Sequence, residues 1–259
     1  MYPILFQSDG FTVFSFGVSR VIGILIGLAY FYFESKKQVG LSFAKCLELF
    51  LLATVSGLLG GEFYLFCENP SYYIDHPKAL ILAGGGYFGT LIVGLTTVIL
   101  FFRYHRLPVW TMLDILIFPI CILHIFGKAG CFLAGCCYGK PVHDFPGVVY
   151  TSAHSLAPLH VPLHATQLYE MTWAIVIFLV LRMIYSSEKK FKGQLFLTYI
   201  MMYSTGRIFL ELFRGDPDRG YFFQDYMNLA QFISLTLLVT ALLFYRFLSH
   251  QEKREKEMS

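Results

Sequence analysis

Apolar stretches long enough to cross the ~30 Å hydrocarbon core of a bilayer recur along the whole chain, and nothing constrains its fold more. Seven are read at Phe11–Phe33, Phe43–Phe66, Ala79–Phe102, Val109–Phe126, Thr166–Tyr185, Gln194–Phe213 and Tyr226–Leu248. In lipid a backbone has to satisfy its own hydrogen bonds, so these stretches are expected as helices. The ten-residue polar/apolar alternation of a membrane barrel is missing. With 56% hydrophobic and 14% charged residues over 259 positions, the chain reads as one all-α polytopic membrane domain, residues 1–259.

The basic residues set an orientation. Counted between the seven stretches and at their ends, 13 Lys and Arg fall on the side of the C-terminus and 5 on the opposite side. The positive-inside rule then puts the N-terminus outside and the C-terminus inside. The net charge of +3 mostly reports this bias and gives no argument for nucleic acid. Residues 1–10 carry no Lys or Arg, so a cleavable signal peptide is not expected, and the first stretch serves as the targeting signal.

Chemistry is expected first in Gly127-Lys128-Ala129-Gly130-Cys131-Phe132-Leu133-Ala134-Gly135-Cys136-Cys137-Tyr138-Gly139. A cation and three thiols at membrane depth are costly unless they face protein or a wet cavity. The spacing of Cys131, Cys136 and Cys137 is not that of a standard zinc site. The three could pack, touch substrate, act as nucleophiles, bind metal or form a bridge from Cys131 to Cys136 or Cys137. Cys46, Cys67 and Cys121 read as small buried hydrophobes.

Helical spacing defines two polar stripes. His124, Lys128 and Cys131 share one face if the fourth span continues that far, and Tyr203, Arg207 and Glu211 share another, with Arg214 further along. Four polar groups in line point to function more than to a single packing ion pair. Arg20 and Glu62 are each costly alone, and their mutual pairing is the simplest expectation, helped by Gly57, Gly60 and Gly61. Gly84 to Gly89 opens the third span and suits a helix start beside an anionic headgroup. Residues 138–165, with His143, His154, His160 and His164, suggest a small ordered cap on the outer face.

Four of these segments resemble the bacterial prolipoprotein diacylglyceryl transferase family, in the right order across nearly the whole chain. They are Gly84–Gly94, Gly127–Gly139, Pro162-Leu163-His164-Ala165-Thr166-Gln167-Leu168-Tyr169-Glu170, and Tyr203 through Arg214. The family's seven-span, N-outside arrangement agrees with the charge count. The chain departs from the family pattern at Phe88, where the family has an essential histidine. It departs also at Lys128 for an arginine, Cys131 for an asparagine, Cys136 for a glutamate and Ile22 for a tyrosine.

The resemblance implies a multi-pass protein of the bacterial cytoplasmic membrane whose partners are phosphatidylglycerol, the lipobox cysteine of a prolipoprotein signal peptide, and membrane lipids. The implied reaction moves a diacylglyceryl group from phosphatidylglycerol to that cysteine thiol and releases glycerol-1-phosphate. Substrate binding falls to Tyr203, Arg207, Glu211, Arg214, Gln167, Tyr169, Glu170 and Gly89, with Arg207 and Arg214 suited to a phosphate. With Phe88 unable to take a proton, His124 or His164 is the expected base, Lys128 adds a charge, and Cys131 or Cys136 is an alternative nucleophile. No cofactor or metal is expected, since no motif for one is present. Two other readings stay open: a paralogue acting on another acceptor, and a thiol-rich binding or redox protein on the same scaffold.

Overall fold

The computed structural model describes residues 2–8, 10–76, 78, 86–143, 146–187, 189–215, 221–222 and 227–258, with Tyr87, Phe88, Tyr221 and Phe222 described by backbone only. A hairpin of β1 (Ile4–Ser8) and β2 (Phe11–Phe14) leads into α1 (Ser15–Val39). Then come α2 (Phe43–Glu68), the short α3 (Pro70–Asp75), α4 (Tyr87–Tyr104) and α5 (Val109–Ala134). A small ribbon of β3 (Val148–Val149) and β4 (Pro162–Leu163) precedes α6 (Thr166–Ser186) and α7 (Gln194–Leu210), which ends in a 3-10 turn at Glu211–Phe213. Strands β5 (Tyr221–Phe222) and β6 (Met227–Asn228) lead to α8 (Leu229–Met258).

Five of these helices, α1, α2, α5, α6 and α8, are long and apolar enough to cross a membrane. The described residues are therefore mostly helical with five candidate spans, where the sequence suggests seven. The other two expected spans correspond to α4 and α7. The 17 residues of α7 reach only about 26 Å at ~1.5 Å per residue. Leu25, Leu51, Leu59 and Leu243, all half exposed or more, give the helices the apolar outer faces that lipid requires.

Several boundaries differ from the sequence reading. Phe11 to Phe14 belong to the hairpin, not to the first span, because both the Ser15 amide and its hydroxyl donate to the Pro3 carbonyl at 3.0 Å and start the helix there. The fourth span does not end at Phe126 but runs on to Ala134. The sixth changes to 3-10 geometry at Glu211, and the last runs through the charged tail to Met258. The expected start of the third span, Ala79 with Gly84 and Gly85, and of the seventh at Tyr226, lie outside the described residues.

The chain divides into two compact units, Leu28–Met112 and Met1–Gly27 with Leu113–Ser259. Within the first, α2 and α4 touch backbone to backbone. A Cβ added at Gly89 would strike the carbonyl of Gly60, and one at Gly60 would strike Val93. Gly60, expected to ease an Arg20–Glu62 approach, serves this helix pair, and Gly89 lies in it too. Arg20, in the other unit, stands 5.0 Å over the Phe16 ring.

Within the larger unit the first half of α1 packs on the second half of α5. A Cβ at Gly23 would meet Phe126, one at Gly27 Pro119 and one at Gly130 Phe16, while the Ser19 hydroxyl donates to the Phe126 carbonyl. Such small-residue contacts let helices approach where no hydrophobic effect drives them together. The start of α7 is fixed by Asp114 on α5. Its fully buried carboxylate accepts from the Gly193 and Phe196 amides, both at 3.0 Å, with the Lys189 ammonium 3.6 Å away. A negative group on the free amides of a helix start satisfies both them and the helix dipole. Among the described residues between α5 and α6, β3 pairs with β4 beside a core of Tyr150, Ala157 and Leu163.

Candidate active site

The continuation of α5 past Phe126 puts His124, Lys128 and Cys131 on one helix, as their spacing requires. Facing them are Glu170 and Trp173 from α6 and Tyr203 and Arg207 from α7. With Ala174, Ile177 and Leu210 these residues, excepting Cys131, line one cleft. Glu170 is its centre. Lys128 Nζ lies 2.7 Å from Glu170 Oε2, Arg214 Nη1 lies 2.7 Å from Oε1, and Arg207 Nη1 stands 3.6 Å from Oε1. Arg207 Nη2 also pairs with Glu211 at 3.1 Å, and Asn228 Nδ2 donates to Glu211 Oε1 at 2.6 Å.

Three cations thus share two carboxylates, Glu170 and Glu211, so the cluster carries one surplus positive charge. Exposure decides which cations can serve a ligand. The Glu211 and Arg214 side chains are 1% and 4% exposed, whereas Lys128 and Arg207 are each 19% exposed. The surplus charge therefore sits at the accessible edge. A desolvated site with more cations than anions suits a phosphate, and guanidinium groups bind its oxygens in pairs. The enclosed space is about 20 Å³, room for one water, so a larger ligand enters only as these side chains part.

Aromatic rings form the wall. His124 stacks on Tyr203 with centroids 5.1 Å apart and 15° between planes, Tyr203 stacks on Tyr199, and His124 Nδ1 is 3.2 Å from the Tyr199 hydroxyl. Trp173 Nε1 donates to the Met202 carbonyl at 3.0 Å, and its ring fills the space that the missing side chain of Gly206 leaves open. The imidazole is thereby held rigidly beside the cation cluster.

The other sequence-predicted residues occupy the adjoining loop. Its backbone is stitched to two neighbours: Gly139 N donates to His164 O, His164 N to Lys140 O, Lys140 N to Phe213 O, and Gly215 N to Tyr138 O, at 2.9–3.2 Å. A Cβ at Gly139 would strike His164 and the Phe213 carbonyl, which explains the glycine. This stitching places Arg214. It also turns His164 to the Tyr169 hydroxyl, 3.2 Å from Nδ1, and to the Phe213 ring, and neither His164 nor Tyr169 lines the cleft. Gln167 is fully buried and donates from Nε2 to Cys136 O at 2.7 Å and to the Tyr150 hydroxyl at 3.0 Å, so its contacts organise the loop. Burial pushes the Tyr150 phenol up to about 12, which keeps it protonated.

All three signature cysteines are free thiols and half-buried. Gly135 and Cys137 both have left-handed backbone, φ 82° and 60°, the second at a cost of roughly 1–3 kcal/mol for a residue with a Cβ. Hydrogen bonds from the Cys131 and Cys136 thiols hold the Cys137 thiol well below its usual range against the cost of burial, with Lys128 and Arg214 adding to the effect.

Tyr199, Trp173, Asn228 and Asp114 are absent from the sequence reading. Tyr199 was findable, since it precedes Tyr203 by one turn on the same stripe. Asn228 and Asp114 act across the fold on partners remote in sequence, and no local signal marks them. Gly89 belongs to the other compact unit.

Fold and site together define a multi-pass helical membrane protein with a cation-rich, half-buried cleft between three of its helices. The chain matches the family model described as "Prolipoprotein diacylglyceryl transferase" over residues 3–247. It is 31% identical over 247 residues to the phosphatidylglycerol–prolipoprotein diacylglyceryl transferase of Clostridium tetani, covering 95% of this chain and 97% of that one. It is 30% identical to transferase 2 of the same description from Clostridium perfringens, over 98% of each chain. The Dehalococcoides mccartyi transferase of that name is 26% identical, over 97% of this chain and 95% of its own. The chain belongs to the prolipoprotein diacylglyceryl transferase family and is a transferase.

Proposed function

We propose that this protein transfers the diacylglyceryl group of phosphatidylglycerol to the lipobox cysteine of a prolipoprotein, in the cytoplasmic membrane of a bacterium, with its N-terminus outside. The observation that carries the reading is the surplus of cations, Lys128, Arg207 and Arg214 on Glu170 and Glu211, beside a stacked histidine. In the reaction the acceptor thiolate forms a C–S bond to the glycerol carbon that bears the phosphate. The C–O bond to phosphate breaks, glycerol-1-phosphate leaves with the electron pair, and the thiol proton passes to a base.

Arg207 and Lys128, the more exposed cations, bind the phosphodiester and stabilise its departing charge, while Arg214 and Glu211 hold Glu170 and Arg207 in place. Of the two candidate bases, His124 is favoured because it lines the cation-bearing cleft, whereas His164 bonds Tyr169 outside it. Gln167 and Tyr169 act by positioning, through the loop and through His164. The test is complementation of a transferase-depleted strain, followed by intact mass of a reporter lipoprotein. A diacylglyceryl adduct on the reporter cysteine is expected; an unmodified precursor in cells that carry the inserted protein would refute the assignment.

A further inference from the structure

We propose that Cys131, Cys136 and Cys137 form a binding site for a thiophilic d10 cation, held by three thiolates with a fourth position open. Their sulfur atoms all lie within 4.8 Å of one another. Metal–sulfur bonds of about 2.3 Å place three such sulfurs about 4 Å apart, so closing on an ion takes side-chain movements of less than about 1 Å. Cys131 comes from the last turns of α5 and the other two from the loop that follows. Adjacent side chains usually point apart. Here the left-handed residues Gly135 and Cys137 on either side of Cys136 curl the chain so that both thiols meet the third.

The loop is built to hold this shape. The buried Thr166 hydroxyl donates to Cys137 O and the buried Gln167 amide to Cys136 O, each at 2.7 Å, and Gly135 N donates to Cys131 O at 2.9 Å. Groups that fix the ligand backbone in this way do for the site what hydrogen-bond partners of the ligands do in metal centres. Soft thiolates select Zn(II) or Cu(I) over hard cations. Three thiolates around Zn(II) leave one net negative charge, and around Cu(I) two. Lys128 and Arg214 both act on the Cys137 thiol, and the one surplus positive charge of their cluster matches the Zn(II) complex. Binding exchanges S–H bonds for metal–sulfur bonds and releases the protons to solvent, with no oxidant or reductant consumed. Nothing in this inference depends on the acceptor of the transfer reaction.

The test uses the full chain in lipid nanodiscs, reduced and stripped of metal, then titrated with Zn(II) alone or Cu(I) alone against a competing chelator. One equivalent is expected. Cys131→Ser, Cys136→Ser and Cys137→Ser should each weaken binding at least about 100-fold, and Thr166→Val about 10–100-fold, while Cys67→Ser, at an exposed position on α2, leaves it unchanged. The Zn(II) and Cu(I) arms tell which cation the site prefers, and retained insertion and melting behaviour show that each variant folds. Equal uptake by the triple serine variant would overturn the proposal. So would intact mass showing a disulfide within the trio in protein freshly isolated from cells.

Discussion

Replacing Glu170 by glutamine tests whether one carboxylate organises the cleft. The change keeps the shape and removes the charge on which Lys128, Arg214 and Arg207 converge at 2.7, 2.7 and 3.6 Å. Glu170 is only 10% exposed, so the small contributions of surface ion pairs are the wrong scale. Removing one partner from a buried pair costs about 3–5 kcal/mol, because the remaining charge stays buried without its counterion. Arg207 would keep its pairing with Glu211, while Lys128 and Arg214 would lose their 2.7 Å contacts to a charged carboxylate. Lys128→Met should cost less, since Glu170 keeps both arginines. The double variant restores the original surplus of one positive charge and should recover about 0.5–3 kcal/mol relative to the sum of the singles. Reversible denaturation of the four proteins in mixed micelles measures this cycle. Strict additivity, or a Glu170→Gln protein as stable as the wild type, would refute the idea that this carboxylate holds the cations together.

Arg207→Ala should lower turnover by at least about 100-fold, the loss expected for one transition-state donor, with insertion intact because Asn228 still bonds Glu211 at 2.6 Å; membrane extraction and lipoprotein mass spectra separate the two effects. Lys128→Arg, which keeps the charge, should retain part of the activity, and Lys128→Ala should not, as measured by initial rates of diacylglyceryl transfer. Asp114→Ala should destabilise the protein by roughly 1–3 kcal/mol and speed hydrogen exchange at the Gly193 and Phe196 amides before any other segment. Reporter fusions should place residues 36–45, 103–108 and 186–192 on one side of the membrane and 140–160 on the other.

Local periodicity made much of this site legible. The His124–Lys128–Cys131 and Tyr203–Arg207–Glu211 stripes are spaced by whole turns, and a helix that runs on keeps such residues on one face whatever packs against it. What faces each stripe is not local information. Glu170 reads as one residue of a motif, and its place under three cations depends on how α5, α6 and α7 meet. The same holds for Asp114, whose partners lie 79 and 82 residues away in the chain. The cysteines show the limit from the other side. Their C-x4-C-C spacing matches no standard metal motif, because such motifs assume ordinary backbone between ligands, and here Cys137 at φ 60° supplies the missing turn.

The residue exchange at position 128 makes sense once the cleft is seen whole. An arginine there would meet Glu170 with a planar fork and compete with Arg207 and Arg214 for the same two oxygens. Lysine brings a compact ammonium on a flexible stem and makes a single 2.7 Å contact with Oε2, which leaves Oε1 to the arginines. It is also the cation with the least rigid hold, since Arg214 is fixed by its backbone bridge to Gly139 and Arg207 by Glu211. For the proposed phosphodiester to enter an enclosed space with room for only one water, some cation has to swing aside. In the proposed function Lys128 does so at the smallest cost and closes on the phosphate from the accessible edge, while Glu170 keeps two positive partners and is never left buried as a lone charge.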